Sequence, residues 1–544
     1  MRTFARLASQ AVQRTRIPSK SFTTTSSKPL HPPRKHLWGR KIGGSLIAAG
    51  TVAYLYDITY NDEAFTRSLR AIRILSLLAI DYKFNFHEAY ELKELHARNA
   101  DRLFYLLTTN KGLYVKMGQV LALQGSNFPP VYQEKFAQLF DNAPQDTEEQ
   151  VRTTFRQDFG TDPEEIFDTF DFNCIASASI AQVYKATLKS GEPVAVKIQH
   201  ANIRNQIYWD LKVYTTFMGI YGWLFNLPTG VISEYNAERI ATETNFELEL
   251  NNAETSRKFL NSDRALSKNI YIPQNYPQYS THRILTSEWI DAIPLGRKNE
   301  IIEAGFDITK ALTQVISFCS KQMFEWGCVH CDPHPGNIML RRVQGKEQVV
   351  IIDHGLYVYE TEEFKAQNCL LWKSMFVLDR ETVKQVIREW GIGNADVFAS
   401  LTMLKKYNEN DQEKYKSEAE YQKHLIKQFQ TMIQDVSKMP LILMLLGRAT
   451  AILQGCNKMY GSPVNRVKIM ATQASSSFRD PTLSSSFWPI RYFKSVVDHA
   501  KFRFAVFLMD TAFILIRIRQ FFASQEEQEQ LGFEAVIERQ MYGG

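Results

Sequence analysis

The sequence predicts an α+β fold of two lobes with a helical extension on its N-terminal side. Ahead of the extension it places a basic leader and one short apolar segment. Three observations predict this. Strand-like patterns fall at 180–198 and 283–290, with a short strand at 349–353, whereas helical periodicity runs through 62–155, 202–260 and most of the chain after 300. A small strand-rich part followed by a larger helical part is the pattern of two lobes with a cleft between them. The composition is that of a folded chain: 544 residues, 44% hydrophobic, 22% charged, with a mean hydropathy of −0.27. It excludes a collagen-like or disordered chain and a polytopic membrane protein. At about 150 residues per domain the length allows three or four domain-sized pieces. Six cysteines are too few for a disulfide scaffold.

The leader is read from charge. The chain carries a net charge of +6, but residues 1–41 hold ten Lys/Arg, ten Ser/Thr and no acid. The first acidic residue is Asp57, and the rest of the chain has 54 basic and 58 acidic residues, a net of −4. An Arg-rich, Ser/Thr-rich, acid-free stretch is the composition of a mitochondrial transit peptide. A disordered basic tail is the competing reading. The +6 therefore argues for import and not for nucleic acid.

The apolar segment follows at 42–58, its uncharged core running from Ile42 to Tyr56. Fifteen residues of helix span roughly 22 Å, against a bilayer core of about 30 Å. Arg40 and Lys41 can snorkel, so a single short transmembrane segment is expected, with a buried core helix as the alternative. Basic residues precede the run and Asp57, Asp62 and Glu63 follow it, which orients the remainder toward the intermembrane space. Ala505–Ile516, apolar but for Asp510 and Thr511, is too short and interrupted to span. It either packs on the domain or lies on a membrane surface.

The middle divides into a helical extension (59–159), a strand-bearing lobe (160–290), a helical lobe (291–475) and a helical tail (476–544). Pro129-Pro130 interrupts the extension and Pro144 ends it. Within 180–198 a Lys-Ser-Gly-Glu turn at 189–192 separates two strand-like runs.

The chemistry concentrates in His330-Cys331-Asp332-Pro333-His334-Pro335-Gly336-Asn337. Asp332 and Asn337 are five apart, as in the His-x-Asp-x-x-x-x-Asn catalytic loop of protein kinases. After the apolar run Val349–Ile352 comes Asp353-His354-Gly355, where kinases carry Asp-Phe-Gly. Phosphoryl transfer needs Mg²⁺ held by a carboxylate and an amide oxygen, for which Asp353 and Asn337 are candidates. It also needs a carboxylate facing the acceptor, for which Asp332 is the candidate. Upstream, Val194-Ala195-Val196-Lys197 matches the strand whose lysine grips ATP phosphates. Glu249 is the candidate partner of Lys197, with Glu247 and Glu254 as alternatives. Thr286-Ser287-Glu288-Trp289-Ile290 suits a hinge, with Glu288 and Ile290 offering backbone groups to an adenine.

Two features depart from ordinary kinases. The phosphate loop reads Ala176-Ser177-Ala178-Ser179-Ile180-Ala181, where glycines are usual. Each Cβ disfavours positive φ, so a stiffer loop is expected. No Ala-Pro-Glu follows Asp353, so an ordinary peptide-docking segment is not expected. With Lys116-Met117-Gly118-Gln119, this ordered set resembles the UbiB/aarF-domain family of atypical kinases over about residues 95–460. The leader and single apolar run further resemble fungal members linked to inner-membrane lipid and coenzyme Q homeostasis.

The resemblance implies a bilobal protein-kinase-like fold binding ATP and Mg²⁺. It implies that Lys116, Gly118 and Gln119 lie on an added regulatory element over the peptide-docking site. It couples the lysine to a Glu-x-Asp motif, which reads Glu243-Thr244-Asn245 here and has lost one negative charge. It implies ATPase or small-molecule and lipid kinase activity at the inner membrane rather than protein phosphorylation, with a lipid or quinone and partner proteins as its partners and no nucleic acid. A nucleotide-gated pseudokinase is the alternative. Cys328-Val329-His330-Cys331 has zinc-like spacing but lacks a second pair, and Cys174, Cys319, Cys369 and Cys456 are expected to be reduced, buried small hydrophobes.

Overall fold

The second strand-like run, Pro193–Gln199, carries Val194, Val196 and Ile198 on one face, and all three are fully buried. That period of two builds the small sheet. In the computed structural model, residues 49–86, 89–123, 129–140, 145–227, 229–391, 440–478, 488–523 and 532–536 are described. The chain divides into two units, 1–56 and 57–544. Of the first, 49–56 are described and are helical. The expected transit peptide, 1–41, lies outside the described residues.

The expected membrane segment, 42–58, is described only from residue 49, in helix α1 (residues 49–60). Among the described residues no helix is long and apolar enough to cross a membrane.

Among the described residues the second unit holds four hydrophobic cores, one of them the small cluster of Ala181, Phe246 and Leu285. The extension packs α2 (Ala64–Asn85), α3 (Ala89–Asn110), α4 (Leu113–Leu123) and α5 (Pro130–Ala137) around Leu106, Tyr114, Phe136 and Leu139. Helix α6 (Glu148–Phe159) starts on a capping box, with Thr147 and Gln150 satisfying each other's backbone amides. A short α7 (Pro163–Ile166) leads into the sheet.

The sheet has the order β1-β2-β3-β5, all antiparallel: β1 (Phe167–Ser177), β2 (Ala181–Leu188), β3 (Pro193–Gln199) and, later, β5 (Ile284–Glu288). The expected turn at 189–192 is there, with Gly191 at φ +91°. Between β3 and β5 come α8 (Ile203–Phe225), α9 (Gly230–Glu243), α10 (Phe246–Ser262) and β4 (Ile270–Tyr271). Helix α8 belongs to the extension by packing: Val213 and Phe217 enter its core, and Asp210 pairs with Arg67 of α2 at 2.5 Å. A segment inserted in the strand-bearing lobe thus clamps the extension to it.

The largest core lies around α12 (Ile308–Lys321), which follows β6 (Ile293–Pro294) and α11 (Lys298–Glu303). Here β4, β9 (Lys346–Ile351), β8 (Ile338–Val343) and β6 form a second sheet in that order, and β7 (Cys328–His330) pairs with β10 (Tyr357–Tyr359). Helices α13 (Glu362–Phe376), α14 (Arg380–Glu389), α15 (Ile442–Met459), α16 (Arg466–Ser477) and α17 (Trp488–Phe521) complete it. The architecture is α+β and kinase-like.

Candidate active site

Lys197 sits on β3, where alternation buries Val196 and Ile198 and turns the lysine to the other face. Its Nζ lies 2.9 Å from both carboxylate oxygens of Glu249 and 3.4 Å from Asp353 Oδ2. Of the three candidate glutamates only Glu249 takes this place. Glu254 pairs with Arg257 at 2.6 Å, and Glu247 lies exposed in the first turn of α10. The helix geometry explains the choice, because Glu249 lies on the buried stripe with Phe246, Asn252 and Ala253.

Burial works against the Lys197 charge, yet Asp353 and Glu249 outweigh it and hold the ammonium above its usual range. Burial pushes the Glu249 carboxyl up, with Lys197 pulling against it. Asp353 is held below the ordinary carboxylate range: burial opposes this, and Lys197 and the Gly355 amide, 2.9 Å from Oδ1, prevail. A Cβ on Gly355 would sit 3.3 Å from Asp353 Oδ1 and 3.6 Å from Glu249 Oε2, so the glycine leaves the two carboxylates room.

The loop bearing Asp332 is fixed from both sides. His330 Nδ1 accepts from the Asp332 amide at 3.3 Å, and the Cys331 amide donates to Leu356 O at 2.9 Å. The His330 ring stacks on Tyr357 at 5.1 Å, and burial lowers its pKa, which keeps it a neutral acceptor. Asn337 Nδ2 reaches Asp332 O at 3.4 Å, leaving Oδ1 as the atom for a cation. The Ile352 amide donates to Asn337 O at 3.1 Å, so Asn337 lies one residue across the ladder from Asp353.

Sequence reasoning missed Arg448. From α15 its Nη2 pairs with Asp332 Oδ1 at 2.9 Å. The signal was present in the chain: Arg448 is the one charged residue in 439–457. A cation in the middle of an apolar helical run needs a buried carboxylate.

The Lys-x-Gly-Gln element lies on α4 and splits by task. Lys116 Nζ meets Glu243 Oε2 at 2.9 Å. The Lys116 ammonium is held above its usual range, with burial opposing and Glu243 and Asp332 prevailing. A Cβ on Gly118 would fall 2.3 Å from Leu139 Cδ1, so this glycine permits close packing inside the extension. Gln119 Nε2 donates to Leu139 O at 3.0 Å. Asn245, which stands where the family motif has Asp, does not face Lys116. It caps α10, its Oδ1 accepting from Glu247 N at 3.0 Å and Leu248 N at 3.4 Å.

The alanine-rich loop closes the end of β1 and β2. Ala176 and Ser177 pair with Val183 and Gln182, and the Ala178 amide donates to Ala181 O at 2.8 Å. Ser179, Ile180 and Ala181 are buried. None of these loop residues has positive φ. His200 anchors the loop beneath, its amide donating to Ile180 O and its ring meeting Ala178 O, both at 2.9 Å, while Nδ1 meets Asp146 at 3.0 Å.

At the hinge, the Glu288 amide already donates to Gln274 O at 2.8 Å, and its carboxylate takes Tyr271 Oη at 2.5 Å. The Glu288 amide and side chain are therefore engaged within the protein. Ile290 follows the end of β5 in non-strand backbone, beyond the sheet ladder. Cys328 and Cys331 are free and buried, and among the described residues no cluster of three or more His, Cys, Asp or Glu could hold a metal.

A strand lysine paired to a helix glutamate, an Asp-x-x-x-x-Asn loop and a following Asp-x-Gly define a protein-kinase-like cleft, here with an added helix over it. The sequence matches the ABC1 atypical kinase-like domain over residues 138–387. It is 40% identical over 463 residues to an ABC1 family protein of Schizosaccharomyces pombe, covering 82% of this chain and 86% of that one. It is 31% identical to the ABC1 family protein lscO of Purpureocillium lilacinum, over 93% and 92% of the two chains. It is also 30% identical to AarF domain-containing protein kinase 1 of Gallus gallus, over 64% and 69%. The chain belongs to the ABC1 (UbiB/aarF) family of atypical kinase-like proteins.

Proposed function

We propose that this protein binds Mg²⁺ and ATP in the cleft and hydrolyses ATP or phosphorylates a small lipid-like molecule. The observation that carries the reading is the Lys197–Glu249–Asp353 arrangement. One cation faces two carboxylates, leaving a surplus negative charge for a divalent ion. Mg²⁺ carried by phosphates needs only one or two protein ligands, and Asp353 with Asn337 Oδ1 suits that number. The bound ion would screen the phosphate charges. Lys197 positions the α/β-phosphates and Asp332 orients the attacking hydroxyl or water. The reading extends to the mitochondrial inner membrane and to lipid or coenzyme Q homeostasis, with the acid-free, Arg- and Ser/Thr-rich composition of residues 1–41 as its support.

The Arg448–Asp332 pair favours a second reading, a nucleotide-gated protein with its base held back. ATP hydrolysis by wild type and Asp353→Asn on lipid vesicles separates the two. The first reading expects magnesium-dependent turnover that the variant loses. Equal background rates with retained nucleotide binding favour the second.

A further inference from the structure

Helix α17 runs from Trp488 to Phe521. Its inner side is held to the helical lobe: Phe502 is buried against Phe376, Asp510 pairs with Lys468 at 2.5 Å, and Gln520 Nε2 donates to Gly461 O at 2.9 Å. Its outer side is apolar. Phe504, Leu508, Leu515, Ile518 and Phe522 follow one another at helical spacing around Thr511, and each of the five is more than half exposed. The Thr511 hydroxyl is spent inside the helix on Phe507 O at 2.8 Å. Residues 504–522 make a stripe about 27 Å long.

Exposed cations border the stripe, with Lys501 and Arg519 along one edge and Arg503 along the other. Between 501 and 522 the one acidic residue is Asp510, which is committed to Lys468. The helix is too charged to cross a bilayer, and no described helix is suited to do so. A helix held on one side, apolar on the other and rimmed by Lys and Arg is built to lie in the interface of an anionic membrane. The long basic side chains reach headgroups while the stripe meets acyl chains. Pairing of two copies through this face would bring like charges together, whereas anionic lipid complements them.

We infer that the outer face of α17 docks the protein flat on an anionic lipid surface. This is a contact separate from any N-terminal segment and independent of the kinase-like reading. The test uses the full chain with an environment-sensitive fluorophore on Leu515→Cys, and a control on His499→Cys, an exposed position away from the stripe. Signal from the labelled unsubstituted chain is subtracted. Vesicles rich in phosphatidylglycerol should blue-shift and brighten the probe at 515 and leave that at 499 unchanged. High salt should weaken the shift. Phe504→Asp with Leu508→Asp should lower vesicle affinity at the probe by about tenfold or more. An unshifted probe at 515, whether or not the chain floats with vesicles, overturns the inference. So does an equal response to neutral phosphatidylcholine. A lipid-free shift that grows with protein concentration assigns the face to a second copy and also overturns it.

Discussion

Two half-buried lysines in this molecule meet a glutamate at the same distance, 2.9 Å, and yet sit in opposite electrostatic settings. Lys197 faces Glu249 and Asp353, one cation against two carboxylates. Lys116 and Arg448 face Glu243 and Asp332, two cations against two carboxylates. The first cluster retains negative charge that a metal ion can neutralise. The second is balanced and closed by α4 and α15. The cleft thus has an open half with surplus negative charge and a self-satisfied half, and the candidate base lies in the latter.

The largest effect expected from breaking this contrast is at Lys197. Lys197→Met leaves Glu249 and Asp353 facing each other without a cation. It should abolish nucleotide binding and cost about 3 kcal/mol in urea unfolding, with the partial exposure of Asp353 keeping the loss near the low end for buried pairs. Lys116→Met should cost less, about 1–2 kcal/mol, because Arg448 stays beside the remaining carboxylates. Equal losses would erase the distinction between the two halves.

Arg448→Gln comes next. It releases Asp332, and steady-state assays should show turnover rising by roughly tenfold at unchanged ATP affinity, within what a freed base contributes. A fall in turnover would make Arg448 a group that positions Asp332 for catalysis.

The pH dependence of stability separates the halves more finely. The Asp353 carboxyl is depressed in the folded state, from an ordinary value of 3.8. Its contribution is therefore present above that value and is lost as pH falls through the lower folded one. Lys116 is raised above 10.5, so its contribution is present below that value and is lost as pH rises through the folded one. Denaturation curves across pH should lose part of the acid limb in Asp353→Asn and part of the alkaline limb in Lys116→Met.

The smallest effect is expected at position 245. Asn245→Asp restores the family's Glu-x-Asp but replaces one good cap with another. It should change stability by less than about 0.5 kcal/mol and leave the stability loss of Lys116→Met unchanged. A large change in either would mean that residue 245 reaches the lysine.

Much of the open half was legible in the chain. Asn337 and Asp353 follow Asp332 of the closed half at short, fixed spacings, and Lys197 stands in its own Val-Ala-Val-Lys strand, so each was read from a local pattern. Glu249 was legible only as one of three, because the choice depends on which face of α10 is buried. The closed half was harder to read. Arg448 lies 116 residues beyond Asp332, and no local pattern links them. Asn245 was read as a weakened tether because its cap role depends on where α10 begins. Packing also reassigned α8: its sequence position is inside the strand-bearing lobe, but Val213, Phe217 and Asp210 bind the extension. The short apolar run was read from its length and flanking charges, and among the described residues no helix is long and apolar enough to cross a membrane.

Calorimetric titration of ATP into wild type and Asp353→Asn, with and without Mg²⁺, tests the charge asymmetry most directly. The account predicts that Mg²⁺ tightens ATP binding by at least about tenfold in wild type and that the gain disappears in Asp353→Asn. An equal magnesium gain in both proteins, or none in wild type, would contradict it.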